Sequence, residues 1–295
     1  MNRTFVIWIL AFVITAGSAV YQRVTGPTYP LSGSVQFGAG SVPYRLERSH
    51  AGNSNASVSI VVPDTSVRGS VEWRRYNSTD WWTRTDLRRE GPTLGESLPL
   101  QPPAGKLEYR VTLTRGADSL FIPADGPAVM RFKGDVPPVI LVIHIVLMFT
   151  GMLVSTRAGL AAFTGREFKE GLTLWTIGLL TAGGLVLGPV VQKYAFGAYW
   201  TGWPFGTDLT DNKTVAALAA WAAVALVQRR VHRPALWALA AALITLAVFM
   251  IPHSLFGSEL DYRGTPPGKG GVTKSVSFFT PADANERAPH GGGHG

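Results

Sequence analysis

Five stretches of the chain stay apolar for longer than a soluble core requires. Phe5–Tyr21 reads FVIWILAFVITAGSAVY, and Pro138–Phe163 opens PVILVIHIVLMFTGMLV. Gly171–Val191 carries LTLWTIGLLTAGGLVLGPVV, Thr214–Val227 is TVAALAAWAAVALV, and Ala235–Ile251 is ALWALAAALITLAVFMI. A spanning helix needs about 20 mainly apolar residues. The second, third and fifth stretches meet that requirement. The fourth is short and alanine-rich, and crosses only if its ends snorkel or the bilayer thins. The first reads as an uncleaved anchor, because its apolar run outlasts a signal core and ends in Val20-Tyr21-Gln22-Arg23.

Residues 30–135 have a different pattern. Short alternating runs are separated by Gly, Pro, Asn and Asp. Candidate strands are Tyr44–His50, Ser57–Val62, Ser70–Tyr76, Trp82–Leu87, Leu107–Thr114 and Ala128–Lys133. Val58-Ser-Ile60-Val-Val62 and Leu107-Glu-Tyr109-Arg-Val111-Thr-Leu113 repeat with period two, as half-buried strands do. Regular spacing with turn residues between suggests a sandwich. The expected fold class is an α-helical polytopic membrane protein of about five spans, with an inserted extracytoplasmic all-β sandwich. The expected divisions are an anchor at 1–23, the sandwich at 28–135, a four-helix membrane domain at 137–256 and a flexible tail at 257–295. The segment Pro102-Pro-Ala-Gly-Lys-Leu-Glu-Tyr109-Arg-Val resembles the penultimate strand of fibronectin type III domains. That resemblance implies a corner tyrosine at Tyr109 and a core tryptophan at Trp73.

Charge orients the chain. Its formal net charge is +8, and the arginines fall on alternate connections. With residue 1 in the cytoplasm, the inner loops hold Arg157, Arg166 and Lys169, then Arg229, Arg230 and Arg233. The β-region, the loop 192–213 and the tail then lie outside, which places the chain in the cytoplasmic (inner) membrane. Only 16% of residues are charged and mean hydropathy is +0.16, values unlike those of a soluble enzyme. There is no cysteine, which excludes disulfides, thiolate metal sites, a cysteine nucleophile and covalent c-type haem. No GxSxG, P-loop or HExxH motif occurs. Arg74, Arg75, Arg84, Arg88 and Arg89 flank Trp81 and Trp82. This cluster reads as a solvated sheet face near headgroups or as an anionic docking surface. A nucleic-acid partner does not suit an extracytoplasmic location.

The candidate chemistry lies on the outer face. His144 is an ionisable side chain inside the second stretch, about 9 Å deep at 1.5 Å per residue. His253 follows the fifth stretch, and Glu259 lies just beyond. The loop between the third and fourth stretches holds Tyr199, Trp200, Trp203, Asp208 and Asp211. Asp211 or Thr210 is expected to cap the fourth helix. The order histidine, tryptophan loop, histidine resembles the haem-handling membrane proteins of cytochrome c biogenesis. That resemblance implies haem ligation by His144 and His253, with Trp200 and Trp203 beside the porphyrin. The dense tryptophan run of that family is replaced here by Tyr-Trp-Thr-Gly-Trp-Pro-Phe-Gly-Thr-Asp, and a sixth span is missing. His144, His253, Asp208, Asp211 and Glu259 also offer nitrogen and oxygen ligands to a divalent metal. Two functions fit the pattern. One is an accessory or assembly subunit of a larger membrane complex, docking partners through the β-domain and tail. The other is a haem- or metal-binding membrane protein. A transporter fits poorly, because charges inside the stretches are nearly absent.

Overall fold

The computed structural model describes residues 3–38, 40–163, 168–206, 208–252, 255, 257, 259–263 and 272–274. Helix α1 (Arg3–Val24) leads into a β-unit, and five helices follow. These are α2 (Pro138–Gly159), α3 (Glu170–Leu180), α4 (Gly188–Phe196), α5 (Leu209–Val227) and α6 (Pro234–Met250). The β-unit contains β1 (Leu31–Phe37), β2 (Gly40–Leu46), β3 (Ser49–Ala51), β4 (Ala56–Val61) and β5 (Arg68–Arg75). It continues with β6 (Thr83–Asp86), β7 (Arg88–Glu90), β8 (Thr93–Leu98), β9 (Lys106–Arg115), β10 (Asp118–Ile122) and β11 (Ala128–Lys133). After α6, β12 (Glu259–Asp261) pairs antiparallel with β13 (Val272–Lys274).

Strand β9 organises the β-unit. One edge of it pairs along its length with β5. The other edge takes β11 beside Lys106–Tyr109 and β10 beside Val111–Arg115. Strands β3 and β6 complete this six-stranded sheet, and β4-β8-β7 forms a second sheet. The alternation read in β9 places Leu107, Tyr109, Val111 and Leu113 in the core with no exposed surface. Ala56, Val58 and Ile60 of β4, Leu94 and Leu98 of β8, and Met130 and Phe132 of β11 join the same cluster. Burial of each large side chain contributes roughly 1.5–3 kcal/mol. Tyr109 Oη donates to the Glu47 carbonyl at 2.6 Å, and burial pushes its phenol above the ordinary range. Trp73 is only partly buried, against the margin of the core.

The expected fold class needs correction. Among the described residues three helical runs, not five, are long and apolar enough to cross a bilayer: Arg3–Val24, Pro138–Phe163 and Glu170–Phe196. Helix α6 is apolar but has 17 residues, and the first five residues of α5 include Asp211, Asn212 and Lys213. The β part is too large to be an insert in a helical fold, with thirteen strands against six α-helices among the described residues. The chain is a membrane protein of mixed α and β class.

Small residues bring the helices together. A Cβ on Gly159 of α2 would lie 2.6 Å from the Ala242 Cβ of α6, and one on Gly151 would lie 2.9 Å from Leu180. Trp221 of α5 is fully buried in this packing, and its indole N–H points at Ser155 Oγ (3.2 Å) and Thr245 Oγ1 (3.0 Å). Between α3 and α4 the chain widens into a π-helix over Thr181–Leu187. Pro189 follows directly, has no N–H to give, and crowds the carbonyl four residues back. Gly188 N–H instead reaches the Gly183 carbonyl, five residues back. The outward faces of α1 and α2 expose Phe5, Phe12, Val139, Val142 and Val146, the side chains a lipid surface receives. Thr15 of α1 donates to Thr156 of α2, and Gln22 Nε2 to the Phe249 carbonyl of α6 at 2.8 Å.

The β-unit sits on one end of this bundle. Gly134 N–H donates to the Ala195 carbonyl of α4 at 3.0 Å. A Cβ at Gly134 would collide with the Tyr194 carbonyl oxygen, so only glycine allows this approach. The Arg131 guanidinium lies 4.3 Å from the Phe196 ring. Residues 259–263 pack back on the β-unit: Lys106 Nζ meets Glu259 at 2.5 Å, and Arg75 stacks on Tyr262 at 4.9 Å.

Candidate functional site: a cavity beneath the β-unit

Where the bundle meets the β-unit the structure forms a partly open cavity of about 510 Å³, inside the range of roughly 300–1,000 Å³ typical of small-molecule sites. Its β-unit end is polar. Gln22 and Arg23 come from the last turns of α1, Arg131 and Lys133 from β11, and Gln192 from α4. Its other end is apolar, walled by α2 with Phe249 of α6. Gly184 of the π-helix and Gly188 at the start of α4 face the same space. Gly184 also lets Thr214 of α5 approach, since a Cβ there would collide with its methyl.

His144 lines this cavity. Its Nδ1 lies 2.9 Å from the Gly183 carbonyl. A carbonyl only accepts, so Nδ1 carries the proton and Nε2 keeps its lone pair. The π-helix supplies that carbonyl, which also accepts from Gly188 N–H. The imidazole is therefore a helix–helix hydrogen bond as well as part of the cavity wall.

The loop between α4 and α5 is tied by carboxylates. Asp208, rather than Thr210 or Asp211, is the N-cap of α5, accepting from Thr210 N–H at 2.8 Å. Asp211 lies a turn further in and accepts from Thr201 N–H (2.7 Å), Gly202 N–H (2.9 Å) and Gln192 Nε2 (3.3 Å). Both carboxylates border the cavity. Trp200 and Trp203 do not: the Trp200 indole donates to the Trp203 carbonyl at 3.1 Å. Trp203 and Phe205 are 72% and 84% exposed, as rings at a membrane interface are. Glu259 is engaged by Lys106 on the β-unit. His253 lies outside the described residues. The expected ligand set is thus divided among the cavity, the loop and the β-unit. Among the described residues no three His, Asp or Glu side chains gather to hold a metal ion.

The basic cluster of the β-unit is internally paired. Arg74 meets Glu108, Arg75 meets Asp80 at 2.5 Å, and Arg88 meets Glu96 at 3.5 Å. Arg84 lies 4.0 Å from Glu72. Arg89 donates to the carbonyls of Val62, Asp64 and Val67, stapling the β4–β5 connection. Trp82 lies between Arg74 (4.6 Å) and Arg110 (4.9 Å), while Trp81 is 93% exposed.

Sequence reasoning found His144, Asp208 and Asp211 but missed Arg23, Arg131, Lys133 and Gln192. The available signal was position: Gln22-Arg23, Arg131-Phe-Lys133 and Gln192 each stand next to the end of an apolar helix. Together the fold and the cavity define a membrane protein whose β-unit roofs a cleft in its own helices. No protein-family model, curated protein or solved structure matches the chain.

Proposed function

We propose that the chain is an accessory subunit of a membrane complex that shelters an amphiphilic molecule beneath its β-unit. The cavity carries this reading: one wall is polar and faces the β-unit, the other is apolar and lies among the helices. A molecule with a polar head and an apolar body satisfies both walls at once, whereas water alone leaves the apolar wall wetted. Chain purified in mild detergent is expected to yield about one extractable amphiphile per protein. Gly188→Phe should abolish it, because a Cβ at Gly188 meets nothing closer than the Gly183 carbonyl at 3.7 Å and the ring then occupies the cavity. The variant should melt with the wild type. Wild-type protein that extracts clean would end this reading.

In this reading residue 1 is cytoplasmic and the β-unit is extracytoplasmic, on the inner membrane. Arg157, Lys169, Arg229, Arg230 and Arg233 support it, since they stand at helix ends away from the β-unit. The packing of α1 against α2 and α6 supports a retained anchor. Because the chain has no cysteine, one placed at exposed Trp81 is a clean reporter. It is expected to react with a membrane-impermeant thiol reagent in spheroplasts, and full protection there would reverse the orientation.

A further inference from the structure

We propose that the sheltered amphiphile is a lipid with an anionic, phosphate-type headgroup, seated among Arg23, Arg131 and Lys133 with its hydrocarbon chain lying along α2. This rests on the reading above and adds the headgroup charge and the path of the chain.

The headgroup argument is electrostatic. Three cations from two elements distant in sequence meet at one end of the cavity. Residues 131 and 133 are two apart on β11, so they share one face of the strand. Burial pushes the Lys133 ammonium below its ordinary value, and Arg131 and Arg23 push it further in the same direction. The three charges therefore act on one another. Burial also takes Arg131 down to about 10, against the pull of Asp208 and Glu259. Among the described residues no carboxylate forms an ion pair with Arg23 or Lys133. Asp208 and Asp211 face the cavity, but both also accept from backbone N–H groups of their own loop and helix. Three cations face two carboxylates here, a formal surplus of one positive charge. Arg131 and Lys133 are desolvated, where charges act more strongly, while Arg23 stays exposed. A phosphate offers several oxygens to these converging donors and relieves their mutual repulsion.

The chain argument is geometric. Leu141, Ile145, Met148, Phe149 and Met152 form one stripe of α2, at spacings of four, three, one and three. From Leu141 to Met152 the stripe rises eleven steps, about 16 Å at 1.5 Å per residue. Opposite it, Gly184 and Gly188 add no side chain. Flexible methionines line this wall, and the apolar stripe is long enough to take an extended hydrocarbon chain.

The test uses the full chain, delipidated in detergent and offered phosphatidylglycerol or phosphatidylcholine of equal chain length, with retention read by native mass spectrometry. Each cation beside an anionic headgroup is worth about fivefold in affinity, so Arg23 and Lys133 give roughly twenty-five-fold, the charge of Arg131 being offset by Asp208 and Glu259. Wild type is expected to prefer phosphatidylglycerol by about that factor. Arg23→Gln with Lys133→Gln should erase the preference, and Arg23→Lys with Lys133→Arg should keep it. Millimolar inorganic phosphate should not displace the lipid; displacement would overturn the role given to the chain. Equal retention of the two lipids, or a preference that survives the Gln pair, would overturn the anionic headgroup while leaving the amphiphile reading intact. Binding of neither lipid, with no other amphiphile extractable, would remove both.

Discussion

Trp221→Ala is expected to cost the helical bundle roughly 3–5 kcal/mol, seen as a large fall in the unfolding midpoint in detergent. The residue has no exposed surface and sits where α2, α5 and α6 meet. Lipid tails are as apolar as helix side chains, so the bundle is held by packing and hydrogen bonds rather than by escape from water. Removing the indole takes away both: the contacts of a large ring, and the N–H shared by Ser155 and Thr245. Trp221→Phe separates the two contributions. It keeps most of the packing and should cost about 1–2 kcal/mol, the worth of the hydrogen bonds. Equal midpoints for the Ala and Phe variants would show that packing at this position contributes nothing.

Arg75→Leu is expected to destabilise the β-unit by roughly 3 kcal/mol. Arg75 and Asp80 have side chains only 8% and 16% exposed and meet through two hydrogen bonds, at 2.5 and 2.7 Å. Removing the arginine strands a carboxylate with little access to water. Arg75→Leu combined with Asp80→Leu should regain much of the loss, which distinguishes a stranded charge from lost packing. The pair also sets an acid limit. The hydrogen bond from Arg75 is the main cause that holds the Asp80 carboxyl below its ordinary 3.8. A depressed folded value means that the unfolded chain binds more protons in that window. The contribution is therefore complete above pH 3.8 and disappears as pH falls through the lower folded value. Denaturant titrations across this range should show an acid loss in wild type that is smaller in Arg75→Leu. An unchanged slope would remove Asp80 from the account.

These two sites differ in how far the sequence discloses them. Strand β9 was readable because Leu107, Tyr109, Val111 and Leu113 alternate with polar residues, and the structure buries all four. Strands β1, β8 and β10 were not. LSGSVQF of β1 alternates weakly: Leu31, Val35 and Phe37 pack against the core, but Gly33 interrupts the apolar period and none of the three is fully buried. In β8, Gly95, Glu96 and Ser97 separate Leu94 from Leu98 and read as a turn. The apolar stretches gave the helices, but not the number that can span. The fourth stretch looked merely short, whereas α5 begins earlier, at Leu209, and takes in four polar residues, Thr210 to Lys213. Its cap was misplaced for the same reason. Nothing in the apolar run ahead of Pro189 marks the π-helix that the structure shows over Thr181–Leu187. His144 stood out because one imidazole in an apolar run is conspicuous. The cations of the cavity did not, because Arg23 and Arg131 become neighbours only when the β-unit sits down on α4, through a glycine whose role no periodicity reveals.

The ion pair between Lys106 and Glu259 spans 153 residues of chain. Burial already lowers the hold of Lys106 on its proton, and Glu259 opposes that loss. During biosynthesis the ribosome delivers every strand of the β-unit, and then all of α2 through α6, before the acid that completes this contact emerges. Until then the turn at 101–106 carries an uncompensated ammonium and an open seat for Leu260 and Tyr262. The contact works as a clasp that closes after the last helix is in place, so a chain halted within α6 would display an unfinished roof to the proteases that survey the membrane.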